Sequence, residues 1–165
     1  NRFSETFKIP EPFISKDVNK IMSLQEPTSK MSKSDSNDNA FVLLMDKPDD
    51  IRRKFKRSVT DSIGLVKYSD EQPGVKNLIN IYSKITGKTS EEIVLGYEGM
   101  GYAKLKEDVA EIVVEELAPI QEKIEYLLKN KDYLEKIYSD GAQKAEVVAR
   151  KTLRKVQKKV GFIPR

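Results

Sequence analysis

The sequence predicts a mainly α protein, with a helical bundle running from about residue 49 to the C-terminus. Three observations predict it. Apolar residues recur at three- and four-residue spacing in successive stripes from Ile51 onward. Proline and glycine punctuate the start and end of a stripe, as in Pro73-Gly74 before one and Gly87 after it. Acidic residues and a Thr-x-x-Glu pair stand where helix N-termini favour them.

Taken in order, residues 1–27 read as extended and turn structure, punctuated by Pro10, Pro12 and Pro27. The stretch from Asn1 to Pro12 shows no clear element start. The chain opens on Asn1 rather than Met, so a piece of a longer chain is expected. Ile21-Met22-Ser23-Leu24 is short and apolar and predicts a buried strand that Glu26-Pro27 would end. Residues 28–39 are polar apart from Met31 and predict a mobile loop. Phe41-Val42-Leu43-Leu44-Met45 then forms an apolar run that must bury itself.

The first helix is predicted from Ile51, Phe55 and Val59 at four-residue spacing, with Asp49 and Asp50 at its start. Val75, Leu78, Ile79, Tyr82 and Ile85 predict the second. Thr89 and Glu92 fit a capping box for a short third. The longest stripe runs from Leu105 to Leu127 and holds Pro119, which predicts a kink or break. Asp132 with Glu135 resembles another cap. The last helix carries Ala145, Val148, Ala149, Thr152, Val156 and Val160 on one face.

Composition bounds the chemistry. Hydrophobic residues make up 38% of the 165 and charged residues 34%, polar for a globular chain. The net charge of +4 and the isoelectric point near 9.0 permit a polyanion partner without demanding one. The chain has no cysteine, which excludes disulfides and thiolate metal sites, and no histidine, which removes the commonest general base and zinc ligand. No apolar run approaches membrane-spanning length and no signal peptide is visible, so a soluble, intracellular protein with no membrane partner is expected.

The informative segment is Lys30-Met31-Ser32-Lys33-Ser34. Two ammonium groups three residues apart, in a hydroxyl-rich loop after an expected strand, suit phosphate oxygens. Such a loop could close over a triphosphate and stabilise charge developing on a departing pyrophosphate. On charge content alone, a solvated lysine-serine loop with no ligand is the favoured account of these residues.

The flanks narrow the reading. Lys-Met-Ser-Lys-Ser is the second signature of class I aminoacyl-tRNA synthetases, and the chain resembles their tryptophanyl family. Ile21-Met22-Ser23-Leu24 precedes the signature at the family's spacing. The similarity continues through Val59-Thr60-Asp61-Ser62, Pro73-Gly74-Val75, Asn77-Leu78, Asn80-Ile81-Tyr82-Ser83, Tyr97-Glu98-Gly99, Gly101-Tyr102, Pro119-Ile120-Gln121-Glu122 and Gly141-Ala142. One departure is Lys20, where the family often has Arg before the strand.

The resemblance implies the following. Residues 1–48 would be the end of a Rossmann-like catalytic domain, and 49–165 a helical, anticodon-binding C-terminal domain. The whole enzyme would be a cytoplasmic homodimer that activates tryptophan with ATP and passes it to tRNA(Trp). Lys30 and Lys33 would contact the ATP phosphates as the catalytic pair. Ser32 and Ser34 would shape the loop, and Ile21 and Met31 would pack near the adenine. Mg2+ would accompany ATP, held by phosphate oxygens, with no metal ligands from the protein. The first class I signature, the Asp-Gln segment that contacts ATP and the indole pocket are all missing, so this chain alone is expected to be inactive.

Two basic clusters are candidates for tRNA contact: Arg52, Arg53, Lys54, Lys56 and Arg57, and, on the last helix, Lys144, Arg150, Lys151, Arg154, Lys155, Lys158 and Lys159. Helix solubility is the plainer account of any one of them. Thr60-Asp61-Ser62 reads as a helix cap, and Asn80 and Tyr82 as structural. Two alternatives stay open: a tyrosyl-tRNA synthetase fragment, and a non-enzymatic basic helical module that binds RNA or protein.

Overall fold

Five helices appear among the described residues: α1 (Pro48–Lys56), α2 (Pro73–Thr86), α3 (Ser90–Gly96), α4 (Tyr102–Lys129) and α5 (Lys131–Lys159). The structure is a computed structural model that describes residues 4–14 and 20–162. Parts of the predicted extended N-terminal segment, residues 1–3 and 15–19, lie outside the described residues. The fold is mainly α, as the sequence predicts, and no strand is present among the described residues.

Two compact units are present. The first comprises residues 15–123 and holds the core. Ile51 and Phe55 of α1, Val75, Leu78 and Ile79 of α2, Ile93 of α3, and Leu105 and Val109 of α4 bury their side chains together. Leu24 and Val66 join them from outside the helices. The helix boundaries follow local chemistry. Pro48 and Pro73 occupy first-turn positions, where a missing N–H costs nothing. Gly87 ends α2 in the left-handed region at φ 74°, its N–H donating to the Ser83 carbonyl at 2.8 Å. Thr89 and Glu92 form the expected capping box: Glu92 N–H donates to Thr89 Oγ1 at 3.2 Å, and Thr89 N–H to Glu92 Oε2 at 2.8 Å.

Several expectations differ from the structure. Ile21–Leu24 does not form a strand. Met22 and Lys30 make a single antiparallel bridge, and Ser23 N–H donates to Ser29 O and Met31 N–H to Ile21 O. The pairing stops because Ser23 Oγ accepts from the amides of Gln25 and Glu26, which turns the chain. Burial is as expected for Ser23 and Leu24, each 1% exposed, while Ile21 and Met22 are only half-buried. Of the apolar run 41–45, only Phe41 is buried, while Leu43, Leu44 and Met45 are exposed. Val59 lies beyond the end of α1 and is exposed, its amide donating to Leu24 O at 2.7 Å. α4 passes through Pro119 without a break. Two residues on, Gln121 Nε2 donates to the carbonyls of Leu44 and Asp46.

The second unit comprises residues 1–14 and 124–165, and α5 dominates it. Asn130, not Asp132, is its N-cap, with no side-chain cap bond, and Asp132 sits in the first turn instead. None of its 29 residues is buried. The predicted apolar face exists: Ala145, Val148, Ala149, Thr152 and Val156 line a shallow groove that Phe7 shares. Val148 is exposed, and only Thr152, Val156 and Gln157 are partly covered toward the helix's end.

Candidate phosphate-binding loop

The loop from Thr28 to Asn39 is held at both ends. On one side the Met22–Lys30 bridge and the Met31–Ile21 bond close a hairpin whose turn is Glu26–Ser29, with Ser29 N–H donating to Glu26 O at 2.9 Å and Pro27 pre-set at the second position. On the other, Leu24 N–H donates to Ala40 O at 2.9 Å. Asn77, on α2, completes the frame: its Oδ1 accepts from Met22 N–H at 2.9 Å and its Nδ2 donates to Met22 O at 2.8 Å. Asn77 is itself 3% exposed, so its amide is fully committed to this backbone.

Within the loop, short local bonds set the path. Ser34 N–H donates to Ser32 Oγ at 3.2 Å, and Asp35 N–H to Ser32 O at 3.2 Å. Asp35 Oδ1 accepts from Asn37 N–H, and Asn37 Oδ1 from Asn39 N–H, two successive Asx turns. The polar composition read as mobility thus also builds a defined series of turns.

Each predicted site residue has a clear place. Ile21 and Met31 are half-buried and pack on the core cluster, which fixes the backbone on either side of the hairpin. Lys30, Ser32, Lys33 and Ser34 are exposed. Lys30 stands opposite Met22 in the bridge, between the Ser23–Ser29 and Met31–Ile21 backbone bonds, and neither Lys30 nor Lys33 has a hydrogen-bond or ion partner for its ammonium among the described residues. Ser32 spends its hydroxyl as a local acceptor, whereas the Ser34 hydroxyl makes no such bond. Two unpaired ammoniums and the free Ser34 hydroxyl beside a rigid hairpin fit the phosphates of a nucleotide. Among the described residues no group of carboxylates could hold a metal ion.

Sequence reasoning missed the neutralisation of the α1 basic cluster. Lys54 is buried, its Nζ on Asp46 Oδ2 at 2.5 Å and over the Phe41 ring, so it is not available to RNA as expected. Arg52 forks onto Glu111, Nε to Oε1 at 2.6 Å and a second nitrogen to Oε2 at 2.9 Å. Its hydrogen bond holds the Glu111 carboxyl below its ordinary value. Arg53 pairs with Asp50 at 2.6 Å. On α5, Arg150 pairs with Glu146 and Lys159 reaches Glu5 O and Thr6, while Lys144, Lys151, Arg154, Lys155 and Lys158 are exposed.

Thr60-Asp61-Ser62 does not cap a helix. Asp61 Oδ1 accepts from Tyr102 Oη at 2.5 Å, Ile63 N–H at 2.8 Å and Gln72 Nε2 at 3.2 Å. Burial would raise its carboxyl pKa, but these donors outweigh it and hold the group below its ordinary value. The partners lie 11 and 41 residues away, out of reach of local reading. Asn80 and Tyr82 are structural as expected: Asn80 accepts from Tyr68 Oη at 2.9 Å, and Tyr82 meets Tyr97 edge-on at 6.2 Å.

A hairpin-held Lys-Met-Ser-Lys-Ser turn followed by helices defines a class of protein. A family model described as tRNA synthetases class I (W and Y) matches residues 1–118, and the chain belongs to that family. Its curated relatives carry the tryptophan name. It is 60% identical over 165 residues to a tryptophan–tRNA ligase of Clostridium perfringens, covering 100% of this chain and 50% of that protein. It is 57% identical over 161 residues to the one of Clostridium acetobutylicum, covering 98% and 48%. The chain therefore spans about half the length of the curated relatives it matches. Among solved structures, the tryptophanyl-tRNA synthetase from Mycoplasma pneumoniae superposes with a TM-score of 0.80 at 28% identity, over 90% of this chain and 45% of that one. That of Campylobacter jejuni, at 24% identity and a TM-score of 0.64, shares the fold.

Proposed function

We propose that this chain is the C-terminal portion of a tryptophan–tRNA ligase, an enzyme that activates tryptophan with ATP and transfers it to tRNA(Trp). Residues 1–48 form the end of its nucleotide-binding domain, and 49–165 the helical domain that faces the tRNA. The observation that carries this reading is the Lys30–Ser34 turn. It is held by Met22, Ile21 and Asn77, with two exposed ammoniums that have no partner among the described residues. Lys30 and Lys33 bind the ATP phosphates, Ser32 and Ser34 support the turn, and Ile21 and Met31 flank the base. ATP brings its own Mg2+, carried on phosphate oxygens. The complete protein is cytoplasmic and dimeric. The chain alone is catalytically incompetent, since a phosphate loop needs an opposing wall to position its substrate.

Tryptophan-dependent exchange between ATP and labelled pyrophosphate tests this. The chain alone should show none above background. Mixed with the N-terminal half of the Clostridium perfringens relative, it should show exchange, and Lys30→Ala with Lys33→Ala should lower that rate by about a hundredfold or more. Exchange by the chain alone, persisting through several columns, would overturn its incompetence. No exchange from the mixture, with both halves folded, would count against the tryptophan–tRNA ligase reading.

A further inference from the structure

Once partners are counted, two basic side chains between α1 and α4 stand apart. Arg52, Arg53 and Lys54 of α1 are each matched to a carboxylate, at 2.6, 2.6 and 2.5 Å. Lys56 has no hydrogen-bond or ion partner among the described residues. On α4, Lys104 reaches Asp108 at 2.7 Å. Lys106 differs: its Nζ donates to the Ser58 carbonyl at 2.7 Å, it is half-buried, and it has no carboxylate partner among the described residues. Burial alone lowers its pKa, so its positive charge is held at a cost.

Arg52, Lys56, Lys104 and Lys106 line one cleft of about 620 Å³ together with Glu107 and Glu111. Glu111 is already saturated by the Arg52 fork, and Glu107 stands 3.7 Å from Lys104. Among the lining side chains four cations face two carboxylates, Asp49 and Asp108 also pair with Arg52 and Lys104, and the two cations without a carboxylate are Lys56 and Lys106. We infer that this cleft is a phosphate-binding site in which Lys56 and Lys106 hold the anion, while Arg52 and Lys104 stay engaged by their own carboxylates. One donor of the Lys106 ammonium is spent on Ser58, and the other two are free for phosphate oxygens. An anion there would compensate a desolvated charge that a neutral carbonyl compensates poorly. The phosphate comes either from an RNA backbone or from a free anion. The RNA source rests on the function proposed above, and the free anion does not.

The test uses the 165-residue chain with two probes: inorganic pyrophosphate by calorimetry at low salt, and tRNA(Trp) binding across a salt series. The variant Lys56→Gln with Lys106→Met removes both charges and keeps the aliphatic stem of Lys106, and thermal melting checks its fold. Pyrophosphate affinity is expected to fall by about tenfold or more. The logarithmic salt slope for tRNA should flatten by about 2. Loss for pyrophosphate alone, including the case where tRNA does not bind, identifies a free-anion site and leaves this inference standing while the tRNA reading fails. A change in the tRNA slope alone identifies backbone phosphate. Neither quantity moving in a variant with unchanged melting overturns the inference. If the variant unfolds, amide resonances of Ser58 and Lys106 in the unsubstituted chain decide: shifts on adding pyrophosphate or tRNA support the site, and their absence with both probes overturns it.

Discussion

Asn77 and Met22 lie 55 residues apart and share two hydrogen bonds, so one side-chain amide satisfies both backbone polar groups of a residue in the signature hairpin. The geometry is that of a neighbouring strand, supplied by a helix. Asn77→Ala would leave the part-buried N–H and C=O of Met22 without these partners. The expected loss is about 2–4 kcal/mol, the sum of two stranded groups, measured by urea denaturation. Asn77→Asp keeps the acceptor and lacks the donor, and should fall between the two.

Gly74→Ala separates helix propensity from packing. In the first turn of α2 alanine would ordinarily stabilise by up to ~1 kcal/mol. Here an added Cβ would stand 2.2 Å from the Val59 carbonyl oxygen, a backbone atom that cannot swing aside. The variant is expected to lose about 1–3 kcal/mol, as an overpacked site does, and thermal melting gives the sign.

The buried Lys54–Asp46 pair predicts a non-additive cycle. Asp46→Ala leaves the 5%-exposed ammonium without its carboxylate, at a cost of about 3–5 kcal/mol. Lys54→Met with Asp46→Ala removes both charges and should recover most of that loss. Equal destabilisation by the single and double variants would show that the pair's charges do not matter.

Stability should fall at both pH extremes for nameable reasons. Asp61 is held below its ordinary pKa: burial opposes this, and the bonds from Tyr102, Ile63 and Gln72 overcome it. A depressed folded-state pKa contributes stability that is present above the unfolded value, near pH 4, and is lost as pH falls through the folded one. Tyr97 is the alkaline counterpart. Burial first, then its bond to Asp108 at 2.7 Å, raises its pKa. Its contribution is complete below about pH 10 and declines as pH rises from there. Tyr102→Phe should shrink the acid limb and Tyr97→Phe the alkaline limb of the unfolding free energy against pH.

What could be read from sequence was what local chemistry decides. The α2 and α3 boundaries follow from Pro73, Gly87 and the Thr89–Glu92 pair, all within a few residues of the ends they set. The signature turn was legible as a motif. The missed features depend on partners distant in sequence. Ile21–Leu24 has strand composition but too short a ladder, because Ser23 turns the chain and Asn77 supplies one flank. Asp61 reads as a cap until Tyr102 is beside it. The basic run of α1 reads as a nucleic-acid face until Asp46, Asp50 and Glu111 are seen to neutralise three of its five charges.

The clamp on Met22 also bears on how this loop could be moved between proteins. Transplanting residues 21–40 as one cassette would carry the lysines and leave behind the amide that fixes their base, since Asn77 is encoded far downstream. The smallest transferable unit is discontinuous: the hairpin together with a helix that presents a carboxamide at the height of Met22. A designer who copied the five-residue signature alone would obtain its charge without its posture.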